Sequence, residues 1–355
     1  MTLEDLGFDD WFRTRIPEAE GFLRPARVIA ADRDHLLIRD DTREAPAETT
    51  GALQFGADGP EDLPAVGDWV MADFVNEDTF ALIHQVLPRK TRLQRKTAGK
   101  RVELQLIAAN LDFAFLVQSL DENFNLPRLE RYLVMANQSG IAPIILLSKS
   151  DLEEAEIRES RAEEIRARLG SVPVRLCSPK TGEGIPGIRE IIHPGLTGCL
   201  LGSSGVGKTT LLNRLLGEDR FAVREVRAGD GKGRHTTTRR QLALLPGGGM
   251  LIDTPGMREL GNFAVRDGIE RTFPEIRELA AGCRFRDCTH TGEPGCAVAA
   301  ALKSGALDRG RFDNWLKLTR ESARLDMSYA EKRDKDRRLG RFYRSVMKSR
   351  KLERS

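Results

Sequence analysis

Nowhere in its 355 residues does the chain carry the 18 or more consecutive apolar residues that mark a membrane-spanning helix. The N-terminus, MTLEDLGFDDWF, also lacks the basic start and apolar centre of a secretory signal; it is acidic. Both absences lead to the expectation of a cytoplasmic protein with no membrane partner. Cysteine is scarce and odd in number: five in all, three of them within 283–296. That usage argues against a disulfide framework and for metal ligation in a reducing compartment. What is present, 40% hydrophobic and 31% charged residues, is ordinary for a soluble globular chain. The length suggests about two or three domains.

One stretch organises the rest. From Thr197 to Gly217 the chain reads TGCLLGSSGVGKTTLLNRLLG. An apolar run (Cys199, Leu200, Leu201) predicts a buried strand, and Leu211, Leu212, Leu215 and Leu216 recur at helical spacing. Between them lie Gly202, Ser203, Ser204, Gly205, Val206, Gly207, Lys208, Thr209 and Thr210, a Gly-x4-Gly-Lys-Ser/Thr loop in strand–loop–helix context. Glycines let successive backbone N–H groups point at a polyphosphate, and the helix N-terminus adds positive potential. Lys208 is placed to reach the β- and γ-phosphates, and the Thr209 hydroxyl to ligate Mg2+. The reading is a nucleoside triphosphate site.

Upstream, residues 1–20 read as a short peripheral extension. Residues 21–90 hold short β-like runs (ARVIA, HLLIR, ALQF, DWVMADF, FALIHQVL) separated by turn formers, which predicts an all-β, OB-like barrel. Between Arg89 and Arg101 no acidic residue interrupts the basic charge. This strip is either a phosphate-backbone contact or a solvated linker. Residues 91–266 alternate strand-like (FAFLV, PIILLS, VPVRL, QLALL, MLID) and helix-like segments (127–138, 152–169), which predicts an α/β domain. Ligands in such domains sit beyond the C-terminal ends of the strands.

Four further motifs follow those strands. Ser148-Lys149-Ser150-Asp151 keeps the Lys and Asp of the guanine-reading Asn-Lys-x-Asp of GTPases. Asp151 can accept from guanine N1–H and the 2-amino group, the Lys149 stem can stack on the base, and Ser148 stands where Asn is usual. Ser178-Pro179-Lys180 takes the place of a base-backing Ser-Ala-Lys loop. Gly233-Arg-His-Thr-Thr-Thr238 is placed as a switch loop whose hydroxyls can add a Mg2+ ligand. Asp253-Thr-Pro-Gly256, about 45 residues past the phosphate loop, offers Asp253 toward Mg2+ and the Gly256 N–H toward the γ-phosphate. The usual GTPase order begins with the phosphate loop; here the base-reading loops come first. The cyclic order is preserved, so the expectation is a circularly permuted GTPase domain.

Residues 267–355 read as a zinc-binding, basic helical domain. Cys283, Cys288, His290 and Cys296 supply three thiolates and an imidazole, enough for a closed structural Zn2+ site. Helices are predicted over 297–302 and 310–348. Residues 311–355 carry 15 Lys or Arg against 7 Asp or Glu, a net +8 within an overall +3. Such a tail fits a polyanionic partner or a solvated helix face.

Taken together, the barrel, the RKTAGKR junction, GSSGVGKTT, GRHTTT and the Cys-Cys-His-Cys pattern resemble the ribosome small-subunit-dependent GTPase family, RsgA or YjeQ, over nearly the whole chain. The resemblance implies an OB-fold, a permuted GTPase core and a zinc-containing C-terminal domain. It further implies GTP hydrolysis to GDP, stimulated by the small ribosomal subunit during its late maturation, with contacts to its rRNA. A monomer is expected. Lys208, Thr209 and Thr237 would organise phosphates and Mg2+. Met257, after Asp-x-x-Gly, cannot orient water as a Gln can, so His235 is the candidate for that role once the subunit docks. The alternatives are an RNA-binding P-loop protein whose nucleotide site is mainly a regulatory clamp, and a P-loop ATPase, against which Lys149 and Asp151 argue.

Overall fold

The computed structural model describes residues 1–17, 22–32, 35–96, 104–221, 240–253 and 266–326. The first helix, α1 (Asp10–Arg13), is followed by five strands: β1 (Arg24–Asp32), β2 (His35–Arg39), β3 (Glu44–Thr49), β4 (Trp69–Val75) and β5 (Phe80–Val86). They pair β1–β2–β3–β5–β4 and close through β4 onto β1, with only β3–β5 parallel. Closure leaves the small barrel room for small side chains. Its interior is accordingly rich in alanine: Ala26, Ala45, Ala47, Ala72 and Ala81, with Val28, Ile38, Val70 and Ile83. In β3 the alternation is direct, Ala45 and Ala47 buried between exposed Glu44, Pro46 and Glu48. A short helix, α2 (Gly51–Gly56), follows β3, capped by the Thr50 hydroxyl, which accepts from Leu53 N–H at 3.3 Å. This is the OB-like barrel that the strand spacing predicts, except that the run ALQF, expected as a strand, is wound into α2 behind the Thr50 cap, and the third strand is instead Glu44–Thr49.

Residues 1–16 differ from the expected peripheral extension. Leu6, Phe8 and Phe12 are buried, and Phe8 packs edge-on against Trp69 of β4 with ring centroids 4.6 Å apart. Beneath this strap lies Arg27, fully buried, its guanidinium donating to Leu6 O and, at 3.3 Å, to Asn110 O. Burial pulls its pKa down to about 10, against the opposing pull of Asp112 and Asp68. The strap is an apolar seal over the junction of the first two domains.

A hairpin of β6 (Arg92–Lys96) and β7 (Leu104–Ala109) leads into the second sheet: β8 (Phe113–Ser119), β9 (Ala142–Ser148), β10 (Val174–Leu176), β11 (Thr197–Leu201), β12 (Arg240–Leu244) and β13 (Met250–Asp253). The order is β10-β9-β8-β11-β13-β12, all parallel except β12. Four helices flank it: α3 (Leu126–Ser139), α4 (Ala155–Leu169), α5 (Ile185–Arg189) and α6 (Lys208–Leu216). Every residue of β8 is buried, as a strand covered on both faces must be. Phe113, Phe115 and Val117 join the cluster under α5 and α6, while Ala114 and Leu116 join the one under α3 and α4. One feature was not foreseen: β1 of the barrel pairs antiparallel with β12, Ala30 opposite Gln241 and Ala31 opposite Arg240, so that both domains share one eleven-stranded sheet.

Beyond it stand α7 (Arg266–Thr272), α8 (Pro274–Ala281), α9 (Ala297–Ser304) and α10 (Arg309–Asp326). The expected continuation of the last helix to 348, and the basic tail from 327, lie outside the described residues. α7 approaches α3 so closely that a Cβ on Gly268 would sit 2.5 Å from Val134 O. The Gly268 N–H donates to Gln138 Oε1 at 2.9 Å. The fully buried carboxylate of Glu130 on α3 fixes the contact further. It accepts from Arg168 Nε at 2.6 Å, Arg311 Nη1 at 2.9 Å and the Asn314 amide, uniting α3, α4 and α10. A buried charge persists only when partnered in this way.

Candidate functional site

Parallel strands β10, β9, β8, β11 and β13 all end on one edge of the sheet, which gathers the loops that follow them. After β11, Gly202 turns the chain so tightly that an added Cβ would lie 2.5 Å from Val117 O. Gly205 and Gly207 take φ values of +80° and +92°, and Gly207 caps α6, placing Lys208, Thr209 and Thr210 in its first turn. Only glycine occupies such backbone cheaply. The Lys208 ammonium folds back over the loop and donates to Gly202 O and Ser203 O, each at 2.7 Å. Asp253, the last residue of β13, is in register with Leu200 of β11 and so ends its strand beside the phosphate loop.

The base-reading loop ends β9. Ser148 is fully buried, and its hydroxyl donates to Val206 O at 2.6 Å, tying this loop to the phosphate loop. Lys149 adopts φ +59°, and its Nζ meets Asp121 Oδ2 at 2.7 Å. The Ser150 N–H donates to Cys177 O at 3.2 Å and its hydroxyl to Glu183 Oε2 at 2.9 Å. Asp151 is exposed. Next to it, after β10, Ser178 is buried, its hydroxyl accepting from Thr181 N–H at 3.2 Å and its N–H donating to Glu183 O at 2.9 Å; Lys180 is exposed. The fold thus brings together 148–151, 178–180, 202–210 and Asp253. His235, Thr237, the rest of the 233–238 segment, Gly256 and Met257 lie outside the described residues. Asp121 and Glu183 escaped sequence reasoning because neither belongs to a motif; each acts from a loop after a neighbouring strand.

The cysteine cluster forms a second site. The ligand atoms of Cys283, Cys288, His290 and Cys296 all lie within 4.8 Å of one another. Cys283 Sγ is 3.9 Å from Cys296 Sγ, and both sulfurs are 3.5 Å from His290 Nδ1. Tetrahedral zinc with its usual bond lengths requires S···S near about 3.8 Å and S···N near about 3.5 Å. The donor set and spacing therefore suit a four-coordinate metal ion. Cys296 also caps α9, its sulfur accepting from Ala299 N–H at 3.3 Å. Burial lowers the His290 pKa toward the neutral, ligating form, although Glu293 pulls the other way. The thiols diverge. Burial would raise Cys283, but backbone N–H groups of Val298 and Ala297 hold it below the ordinary range, whereas Cys288 is pushed up to about 12 by burial and by the neighbouring sulfurs. Crowded like charges produce such a split, and a divalent cation removes it. His290 itself sits at φ +61° against the Trp315 ring, 5.6 Å between centroids, so the cluster is continuous with the apolar core of α8–α10.

A glycine phosphate loop, a base-reading loop that precedes it in the chain yet adjoins it in space, and a parallel sheet between them define a circularly permuted P-loop GTPase. A sequence model of the RsgA GTPase matches residues 86–263. The small ribosomal subunit biogenesis GTPase RsgA of Opitutus terrae is 44% identical over 334 residues, covering 91% of this chain and 90% of that one. The protein of the same name from Streptomyces coelicolor is 38% identical over 356 residues, covering 98% and 96%. Among solved structures, YjeQ from Thermotoga maritima superposes with a TM-score of 0.61 at 26% identity, over 85% of this chain and 99% of that one. YloQ, described as a circularly permuted GTPase, shares the fold with a TM-score of 0.58 at 23% identity, over 87% and 98%. The chain belongs to the RsgA GTPase family and is a GTP hydrolase.

Proposed function

We propose that this GTPase acts in late maturation of the small ribosomal subunit, is stimulated by it and contacts its rRNA. The names of its relatives support the partner. The observation that carries the chemistry is the convergence of four loops on one sheet edge, with the base-reading loop hydrogen-bonded to the phosphate loop through Ser148 and Val206. In this reading Lys208 exchanges its two loop carbonyls for phosphate oxygens when nucleotide enters, and the backbone N–H groups of 203–209 cradle the rest. Thr209, Thr237 and Asp253 would hold Mg2+, which neutralises charge on the β- and γ-phosphates when bound. Asp151 reads the guanine edge, the Lys149 stem supports its face, and Ser178 and Lys180 back the base.

Catalysis is then mostly positioning and electrostatics. Met257 has no group to orient water, so turnover of the free protein is slow, and His235 supplies that group when the subunit docks. Cys283, Cys288, His290 and Cys296 hold one structural zinc ion. The protein works as a cytoplasmic monomer.

The deciding experiment measures GTP and ATP hydrolysis with and without small ribosomal subunits. A slow, GTP-only rate that rises sharply with subunits, vanishes in Lys208→Ala and loses its stimulation in His235→Ala is expected. Equal rates with and without subunits would remove the partner. Retained turnover in Lys208→Ala would remove the catalytic assignment, and ATP turnover would remove the base reading.

A further inference from the structure

We infer that Asp121 is a positioning residue for nucleotide binding: it grips the Lys149 ammonium so that the lysine stem stands as a fixed platform for the base. The inference rests on the base-reading role proposed for residues 148–151.

Asp121 lies two residues beyond the end of β8, and β8 pairs in parallel with β9 so that Ser119 stands opposite Ser148. The chains leaving the two strands therefore run side by side, and the carboxylate reaches across to its neighbour. Its two oxygens divide the work. Oδ1 accepts from the Ser119 hydroxyl at 2.6 Å and from the Asn123 N–H at 3.1 Å, which locks the side chain onto its own turn. Oδ2 is left to meet Lys149 Nζ at 2.7 Å. Burial alone would raise the Asp121 carboxyl, but the hydrogen bonds from Lys149, Ser119 and Asn123 hold it below the usual carboxylate range, so it is ionised at neutral pH.

The backbone agrees with a residue held in place. Lys149 sits at φ +59°, a conformation a non-glycine residue keeps only when its surroundings enforce it. Ser150 is fastened from the opposite side by Glu183, itself paired with Arg158. Two consecutive residues are thus tied down by carboxylates from the loops after β8 and β10, while Asp151 alone projects to solvent. The division matters chemically. An aliphatic stem presents the same surface to any purine face, whereas a carboxylate distinguishes the hydrogen-bonding edge. Asp121, acting through the stem, governs how tightly a base is held and not which base is chosen.

The test is equilibrium binding of fluorescent GDP, IDP and ADP to the full chain, in wild type, Asp121→Asn, Lys149→Ala and the double variant, with KM and kcat for GTP alongside. Asp121→Asn keeps the turn-forming Oδ1 and removes the charge, so it separates grip from folding. For a partly buried ion pair the expected loss is about fivefold for GDP and IDP alike, with their ratio unchanged. KM rises, kcat at saturation stays, and the double variant loses no more than Lys149→Ala alone, because the two residues act as one. Undiminished GDP affinity in Asp121→Asn, or additive losses in the double variant, would overturn the inference while leaving base reading intact. A wild type that binds GDP and ADP equally would instead remove the base-reading role, and the inference with it.

Discussion

The Ser148 hydroxyl donates to the carbonyl oxygen of Val206 at 2.6 Å across 58 residues of sequence, and both residues are fully buried. A hydroxyl therefore makes the tie between the base-reading and phosphate loops in a motif where an asparagine amide is usual. Ser148→Ala leaves a buried carbonyl without its donor, a loss of about 1–3 kcal/mol. The expected result is a lower melting temperature in nucleotide-free protein together with weaker GDP binding, read by thermal melts and fluorescent GDP titration. Unchanged GDP affinity would mean that the loops hold their relative positions without this bond.

Removal of the metal should act on one domain. Cys296 is both a proposed ligand and the cap of α9, and Cys283 and Cys288 pack against the same apolar cluster as Phe273 and Phe312. Elemental analysis is expected to find one zinc per chain. A strong chelator should release it with loss of helical signal and a gain of protease sensitivity around 283–296, because binding energy at such a site is folding energy. The barrel, which shares no core with the cluster, should keep its protection.

Glu293 knots the metal loop, accepting from the Thr289 hydroxyl and from the N–H groups of Thr289, Thr291 and Gly292. These bonds, the Thr289 hydroxyl first, bring its pKa from 4.5 down to about 2. A depressed carboxyl pKa contributes stability that is complete above the unfolded value and fades only as pH falls toward the folded one. Glu293→Gln should therefore lower the melting temperature of zinc-loaded protein by the same amount at pH 6, 7 and 8. A gap that changed across that range would point to another titrating group.

Arg311 and Glu130 join the C-terminal helices to the GTPase core through a buried ion pair, with Arg311 also bonded to Glu275. Arg311→Met takes one of three partners from a buried carboxylate and should cost about 3–5 kcal/mol in denaturant unfolding. The double change Arg311→Met with Glu130→Leu should recover part of that, since the buried carboxylate is gone and Arg168 keeps Asp308 as a partner. If the single change were harmless, Arg168 and Asn314 alone would suffice to hold the Glu130 carboxylate.

The parts legible in the sequence were those in which one short stretch carries its own chemistry. Thr197 to Gly217 announces strand, turn and helix by itself, and Cys283, Cys288, His290 and Cys296 announce a ligand set by composition. The alternation of apolar runs placed β8, β9 and β11 for the same reason. Contacts made by topology were not legible. Asp121 and Glu183 matter only because the sheet sets their loops beside β9. The burial of Phe8 and Phe12 was hidden by the acidic residues around them, which suggest a surface segment until Trp69 is seen beneath. The β1–β12 pairing had no signal at all, because two strands from different domains meet through backbone groups that every sequence possesses.

That pairing has a consequence for any attempt to take the protein apart. A strand at the rim of a sheet offers its unsatisfied amides and carbonyls to whatever chain arrives next. In the intact molecule Ala30 and Ala31 occupy the outer side of β12 at Gln241 and Arg240, while β4 covers the same side of β1 at Arg24–Arg27. A fragment beginning after the barrel would bare the rim of β12 at Arg240 and Gln241 to its own copies. A solubility defect in the shortened chain would mark the barrel as a guard against self-association.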